Sequence, residues 1–243
     1  MGQLVYKIKI KIYNKILYYY IFIMPCLVNS SILSSSIVAG DVELDYGNNH
    51  ERDCPYTNFY DYGYNCLFYT ASELSAIPNG ATINKIAFQI EAPSNGTFEV
   101  NNQEVWMAQH NTGTEFPSNM RVNGTSLSDT TWNNNFINYT KIYNGATLGF
   151  TKVSADPNIV WRDLLFPNFT WTANKPLCIF WLNGDGNYNT GGVSSYPRCK
   201  GDNLSGAPPR YWAEDHQDNT PYSPTGIADI NLTFRANIKI FYS

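Results

Sequence analysis

The chain has few charged residues, and it lacks an apolar run long enough to cross a membrane. Only 15% of its 243 residues are Asp, Glu, Lys or Arg, and the net charge is −4. Nucleic acids and anionic membranes bind proteins through a basic face, so this balance argues against both as partners. The longest uncharged apolar run, residues 16–28, has 13 residues, whereas a membrane-spanning helix needs about 20.

Motifs for catalysis and for zinc binding are also missing. None of the five cysteines has CxxC spacing, and His50, His110 and His216 belong to no HExxH motif. No GxSxG sequence marks a serine nucleophile. The acids of residues 214–218 are no more than the surface of any β-sandwich carries, although a glycosidase would need two facing carboxylates. We therefore expect a protein that is not an enzyme.

The first 36 residues have the order of a secretory signal peptide. Four lysines precede the apolar run 16–28, and small polar residues follow it. We expect cleavage between about residues 30 and 39, which leaves a protein that is secreted and in some settings attached to the cell surface. A membrane anchor is the alternative interpretation of this run. Removing the leader removes its four lysines and shifts the net charge from −4 to −8.

Four cysteines remain once the leader, with Cys26, is removed. An even number in an exported chain predicts two disulfides. Three pairings are open, and the local scheme is the simplest of them. It joins Cys54 to Cys66 and Cys178 to Cys199.

Residues 54–243 are expected to form one all-β domain, an antiparallel β-sandwich of jelly-roll-like design. Aromatic residues make up 15% of the chain, and abundant Tyr, Asn, Thr and Gly favour strands and turns. Residues 86–90 alternate apolar with other side chains, which predicts a half-buried strand. Residues 177–182 are continuously apolar, which predicts a central strand covered on both faces. Many short strands separated by turn residues indicate a sandwich.

Three smaller predictions complete the fold. Residues 98–100 and 104–108 are expected to form a hairpin around the turn residues 101–102. Residues 71–76 are expected to form one short helical turn. The alternation near the C-terminus, residues 230–240, predicts strands incorporated into a sheet.

The order of several short motifs resembles a group of β-sandwich modules found in secreted and surface proteins of environmental bacteria. The motifs are YGYNCLFYTASEL from Tyr62, then ATINKIAFQI, VWMAQHNTGTEFPS, TKIYNGATLGFT, LLFPNFTWTANKPLCIFWLNGDGNYNTGG and PRYWAEDH. The resemblance covers about residues 55–243 and implies a sandwich with a surface or adhesive role and no catalytic residues. We expect the module to stand alone in this chain, and the resemblance carries no cysteine pairing.

Two ligand sites are conceivable from the residues. Asn183, Asp185 and Asn187 alternate with glycines, and their oxygens are of the type that Ca²⁺ prefers. A plain turn is the alternative, because only one of the three is charged. Trp132 and the neighbouring Tyr211 and Trp212 are the candidates for stacking on sugar rings. The other tryptophans lie in predicted strands and are assigned to the core.

Six Asn-X-Ser/Thr sequons are present, and in an exported chain each is a candidate for glycosylation. A chain this rich in Asn, Ser and Thr is expected to contain about five by chance. They are Asn95, Asn123, Asn138, Asn168, Asn203 and Asn231.

Residues 37–53 form an N-terminal extension whose first part has a clear strand pattern. Val38, Val42, Leu44 and Tyr46 lie on one face of an extended chain, and acids lie on the other. One hypothesis is that residues 37–46 are the first strand of the chain's own sandwich. The other is a donor strand, unpaired in its own chain, that completes the sheet of a neighbouring copy and precedes a flexible joint at residues 47–49.

The leading functional hypothesis is a secreted, non-enzymatic subunit of an extracellular fibre or surface assembly, linked to copies of itself head to tail by N-terminal strand exchange. A head-to-tail contact that does not close makes filaments. The alternative is a secreted carbohydrate-binding or adhesive module, with glycans as partners.

Overall fold

The computed structural model divides the chain into two compact units, residues 1–36 and 37–243. The residues it describes are 8–12, 15–19, 37–51, 55–56, 62–92, 94–111, 136–186, 196–203, 211–216, 230–232 and 234–243. In the first unit, β1 (Ile8–Ile12) and β2 (Lys15–Tyr19) pair as an antiparallel ribbon. Among the described residues, no helix has the length and apolar character needed to span a bilayer.

The second unit is built from strands that are all paired antiparallel. They are β3 (Gly40–Leu44), β4 (Asn49–Glu51), β5 (Tyr62–Tyr69), β6 (Thr82–Glu91), β7 (Gly96–His110), β8 (Phe136–Lys152), β9 (Ile159–Thr170), β10 (Leu177–Asn183), β11 (Arg198–Asn203), β12 (Tyr211–His216), β13 (Ile230–Leu232), β14 (Phe234–Ala236) and β15 (Ile238–Tyr242). One sheet has the order β13-β12-β5-β10-β7-β8. The other has the order β14-β11-β6-β15-β3, with β4 beside β11 and β9 beside β6.

The two sheets pack face to face, which confirms the predicted all-β antiparallel sandwich. Between β4 and β12 the chain crosses repeatedly from one sheet to the other, the connectivity that jelly rolls share. Alternation places Ile86, Phe88 and Ile90 of β6 in the core, as predicted. The central strand β10 is buried on both of its faces, which confirms the interpretation of its continuous apolar sequence.

The predicted hairpin around residues 101–102 is wrong, because β7 runs unbroken from Gly96 to His110. Asn102 adopts a positive φ of 49° inside the strand. The Asp185 carboxylate accepts the Asn101 amide at 2.6 Å, and the pairing with β8 continues on both sides. Asn102 therefore produces a local irregularity within β7 and not a turn that reverses the chain.

The segment predicted as a helical turn, residues 71–76, forms turns. A single i to i+4 hydrogen bond runs from the Leu74 amide to the Thr70 carbonyl, at 3.3 Å. No α-helix occurs in the described ranges.

Candidate functional site

The candidate site is the sheet edge formed by β3. β3 pairs with β15 of the same chain, with Leu44 opposite Ile238 and Val42 opposite Ile240. The prediction that this segment is unpaired in its own chain is therefore wrong, and the alternative of a first strand of its own sandwich is confirmed. The physical reason is that the apolar face of β3 completes the core row begun by β15.

The predicted interface residues differ in how they contact the core. Val42 is buried, with 8% of its surface exposed, and Leu44 and Tyr46 are half-buried and pack against the same core. Val38 does not follow them, because 79% of its surface is exposed. Ile37 packs against the core in its place. The alternation predicted that Val38 lies on the apolar face of the strand. It does not, because the strand begins only at Gly40.

Two glycines fit the backbone around β3. A Cβ on Gly40 would lie 2.7 Å from the hydroxyl of Tyr242, whose side chain crosses it. Gly47 has a φ of 136°, a conformation that residues with a side chain rarely adopt. A side chain at Gly40 would displace the Tyr242 ring, and a side chain at Gly47 would strain the turn after β3.

The buried side chain of Asn237 joins β3 to the rest of its sheet. Its Oδ1 accepts the Tyr46 amide at 2.7 Å. Its Nδ2 lies within donating distance of the Gln89 side-chain oxygen at 2.7 Å, the Gly47 carbonyl at 3.0 Å and an Asp45 carboxylate oxygen at 3.1 Å. Asn237 is fully buried, so it acts as a clamp on residues 45–47.

The backbone of Asn237 marks a junction of three strands. Its carbonyl accepts the Gln89 amide of β6, at 3.4 Å, and its amide donates to the Lys200 carbonyl of β11, at 2.8 Å. Asn237 lies between β14, which pairs with β11, and β15, which pairs with β6. The side-chain hydrogen bonds of Asn237 therefore attach residues 45–47 to a junction that its backbone hydrogen bonds already form.

The joint after β3 is held by further contacts. Lys200 donates from Nζ to the Asn48 carbonyl, and the Asn49 side chain donates to Asp202 at 2.5 Å. The Gly47 amide donates to Asp45 at 3.0 Å. The expectation of a flexible joint at residues 47–49 is therefore corrected, because these contacts tie the joint to β11.

An ion pair between buried Arg235 and half-buried Glu73 supports Tyr46 at the end of the edge. Arg235 pairs with Glu73 and lies over the Tyr46 ring, 4.1 Å from its centroid. The Tyr46 hydroxyl donates to Glu73 at 3.2 Å, and Thr70 donates to the same carboxylate. Burial raises the pKa of Glu73, but the hydrogen bonds from Arg235 and Thr70 outweigh it, so this pKa is lowered.

The other edge of β3 has no partner strand among the described residues. Its outward side chains are acidic, since Asp41 and Glu43 are exposed. Glu43 forms an ion pair with Lys239 of β15. Charged side chains on an edge strand discourage uncontrolled pairing with other proteins.

The predicted calcium ligands are engaged with the protein. Asn183 Oδ1 accepts a hydrogen bond from the side-chain amide of Gln103 at 2.6 Å and one from the backbone amide of Asp185 at 3.1 Å. Asp185 holds Asn101, as described above. Asn187 lies outside the described residues, and within them no group of three His, Cys, Asp or Glu side chains is placed to hold a metal ion. Calcium binding stays a prediction.

The structure describes no side chain of the proposed sugar-stacking residues. Trp132 lies outside the described residues, and Tyr211 and Trp212 are described only by their place in the backbone of β12. Trp161 is half-buried on β9, and Lys239 lies 5.0 Å from its ring centroid. The other described tryptophans are buried, namely Trp106, Trp171 and Trp181.

The sequons have different surroundings where they are described. Asn95 and Asn168 are exposed. Asn138 is exposed too, but its amide nitrogen donates to Gln109, to the Thr170 carbonyl and to Thr172. Glycosylation stays a prediction. Asn123 and the side chains of Asn203 and Asn231 lie outside the described residues.

The cysteines do not follow the local pairing scheme. No disulfide joins Cys66, Cys178 and Cys199. Cys178 lies in the six-stranded sheet and Cys199 in the seven-stranded sheet, which separates the pair that the scheme requires. Cys54 lies outside the described residues.

The structure describes the side chains of two of the three histidines, and neither belongs to a recognisable catalytic arrangement. His110 ends β7 and packs edge-on against Phe136. Burial, and then the nearby Lys175 cation, lower the pKa of His110. His50 pairs with Glu91 at 3.5 Å, and the side chain of His216 is not described.

Comparison with known proteins adds no family to this arrangement. No protein-family model matches the chain, and no curated protein matches it closely enough to count as a relative.

Proposed function

We propose that the chain is a secreted, non-enzymatic subunit of an extracellular fibre or surface assembly, in which copies are joined by exchange of β3. The exchanged element is β3 with its flanking residues, 37–47 in all. In the assembly it leaves the β15 edge of its own chain and occupies the same edge of the next copy. Exchange of an identical element is a low-cost route to association, because the strand pairing that is broken within one copy forms again between two copies.

One observation carries the proposal. Among the described strands, β3 lies at the edge of its sheet and pairs with one neighbour, β15, and it still supplies the buried side chain of Val42 to the core. An edge strand can leave without breaking any pairing beyond its own, and the exposed groove on β15 then requires a replacement. The matching replacement is the same strand of another copy.

The Asn237 clamp favours the exchange of residues 37–47 as one element. The clamp binds the backbone of residues 46 and 47 and the carboxylate of Asp45, which move with β3. The pivot is then Asn48, since β4 begins at Asn49 and pairs with β11 of its own chain.

A competing peptide tests the proposal on the intact protein. A synthetic peptide of residues 37–47, added during assembly, should shorten or abolish filaments seen by negative-stain electron microscopy and lower light scattering. A peptide with Val42→Asp should be inactive, because it carries a charge into the core. The matched Val38→Asp peptide should stay active, because Val38 is exposed. Filaments that ignore the active peptide, or a protein that stays monomeric without it, would overturn the proposal.

The glycan-binding alternative needs a row of exposed aromatic rings. Among the described residues no aromatic side chain is fully exposed. Trp161 and Phe241 are half-buried, and Lys239 and Lys85 lie over their rings.

A further inference from the structure

The six-stranded sheet has a second buried layer on the face that points away from the other sheet. Residues of odd number in β5 and β10, such as Leu67 and Ile179, face the core between the sheets. The alternate residues are buried as well. Cys66, Phe68, Cys178 and Phe180 are each at most 1% exposed. This face therefore contains two cysteines in an apolar environment.

Aromatic rings from β8 lie on this second layer. Phe136 and Tyr139 pack edge-on against Phe180, with ring centroids 5.5 and 5.9 Å away. Tyr139 also stacks on Trp106, with a centroid separation of 4.7 Å. These contacts order the layer around the thiols.

Cys66 and Cys178 are diagonal neighbours on adjacent strands. Cys66 lies opposite Phe180, and Cys178 lies opposite Phe68. Burial, and then a hydrogen bond with Cys178, raise the pKa of the Cys66 thiol. Diagonal residues on one face have Cα atoms about 7–8 Å apart and Cβ atoms closer. A disulfide spans Cα separations of about 4.4–6.8 Å, so the two strands must slide slightly along one another before the sulfurs can bond.

Cys199 belongs to a different part of the molecule. It is buried in the core between the sheets, and its Sγ lies 3.4 Å from the Pro55 carbonyl. A bond from Cys199 to either thiol of the second layer would have to pass through the six-stranded sheet. Of the three possible pairings, only the one that joins Cys66 to Cys178 avoids such a bond, and in the structure itself the three described cysteines are free.

We propose that Cys66 and Cys178 form a disulfide in the exported protein. The inference does not depend on strand exchange. Oxidation removes one proton and one electron from each thiol and forms the Sγ–Sγ bond. The electrons pass to the disulfide of a thiol oxidant, whose own sulfur–sulfur bond breaks to give two thiols. Because both thiols are buried in the folded sheet, the reaction takes place before the second layer closes.

The bond is tested by refolding the reduced full chain in a mixture of reduced and oxidised glutathione. Remaining thiols are alkylated in denaturant, and peptides are mapped by mass spectrometry without reduction. We expect a linked peptide pair that contains Cys66 and Cys178, and a thermal midpoint that falls by about 10 °C when reductant is added. Full alkylation of Cys66, or its linkage to Cys54 or Cys199, would overturn the proposal.

Matched variants separate the bond from the effect of losing a buried side chain. Cys66→Ala and Cys178→Ala should each abolish the response of the thermal midpoint to reductant and free the partner thiol for alkylation. Cys199→Ala removes an equally buried cysteine, and it should leave the linked peptide in place. If an alanine variant does not fold, quantitative alkylation of the wild-type chain in the same refolding mixture decides the question. A Cys178 that stays protected from alkylation in Cys66→Ala would contradict the assignment.

Discussion

Replacing Asn237 with alanine should cost about 3 kcal/mol of unfolding free energy. The substitution leaves three groups without their partner, namely the Tyr46 amide, the Gly47 carbonyl and the Gln89 side-chain oxygen. A polar group that loses its buried partner costs about 1–3 kcal/mol. All three residues are half-buried, so the low end of the range applies to each of them.

The measurement is equilibrium unfolding in urea, followed by tryptophan fluorescence. The control is Asn144→Ala, an exposed asparagine in β8, which should change the unfolding free energy by less than about 0.5 kcal/mol. The urea dependence should be the same in both variants, because the folded surface hardly changes. A loss below about 1 kcal/mol for Asn237→Ala, or one equal to the control, would refute the role of Asn237 as a clamp.

Two further predictions concern buried polar groups elsewhere in the sandwich. Because Arg235 lowers the pKa of Glu73, this carboxylate stabilises the fold above its unfolded pKa, and the benefit disappears as pH falls through the folded value. Urea unfolding should therefore show that Glu73→Gln is most destabilised near neutral pH and approaches the wild type only as pH falls through the lowered pKa of Glu73. Trp181→Phe should cost about 1–2 kcal/mol more than Trp171→Phe, since it leaves Gln103 without a donor. Trp171 Nε1 has no hydrogen-bond partner in the described part of the structure, and equal losses for the two variants would contradict this reasoning.

Local pattern was sufficient to predict the class of fold. Successive side chains of a strand point to opposite faces of the sheet. The alternation in β6 and the continuous apolar sequence of β10 therefore show which faces of each strand are buried. The turn residues at 101–102 misled the prediction, because a sequence does not reveal that Asp185, distant in the chain, accepts the Asn101 amide. Local preference for a turn was overridden by a tertiary hydrogen bond.

The strand that pairs with β3 could not be predicted from the sequence, for a related reason. The pattern of Val42 and Leu44 shows that one face is buried, but it does not identify the strand alongside. The clamp was missed as well, because Asn237 lies between two short strands and looks in the sequence like one more turn residue. A possible signal was an asparagine in the apolar alternation between Phe234 and Ile240.

The most direct test of strand exchange is a cross-link between two differently labelled copies. Glu43 lies opposite Lys239 across the β3 and β15 pair, so Glu43→Cys and Lys239→Cys are introduced into separate chains. The two variants are mixed, allowed to assemble and oxidised, and each variant alone serves as the control. We predict a covalent dimer on non-reducing electrophoresis from the mixture only. A mixture that stays monomeric, while a chain carrying both substitutions closes its own internal bond, would contradict strand exchange.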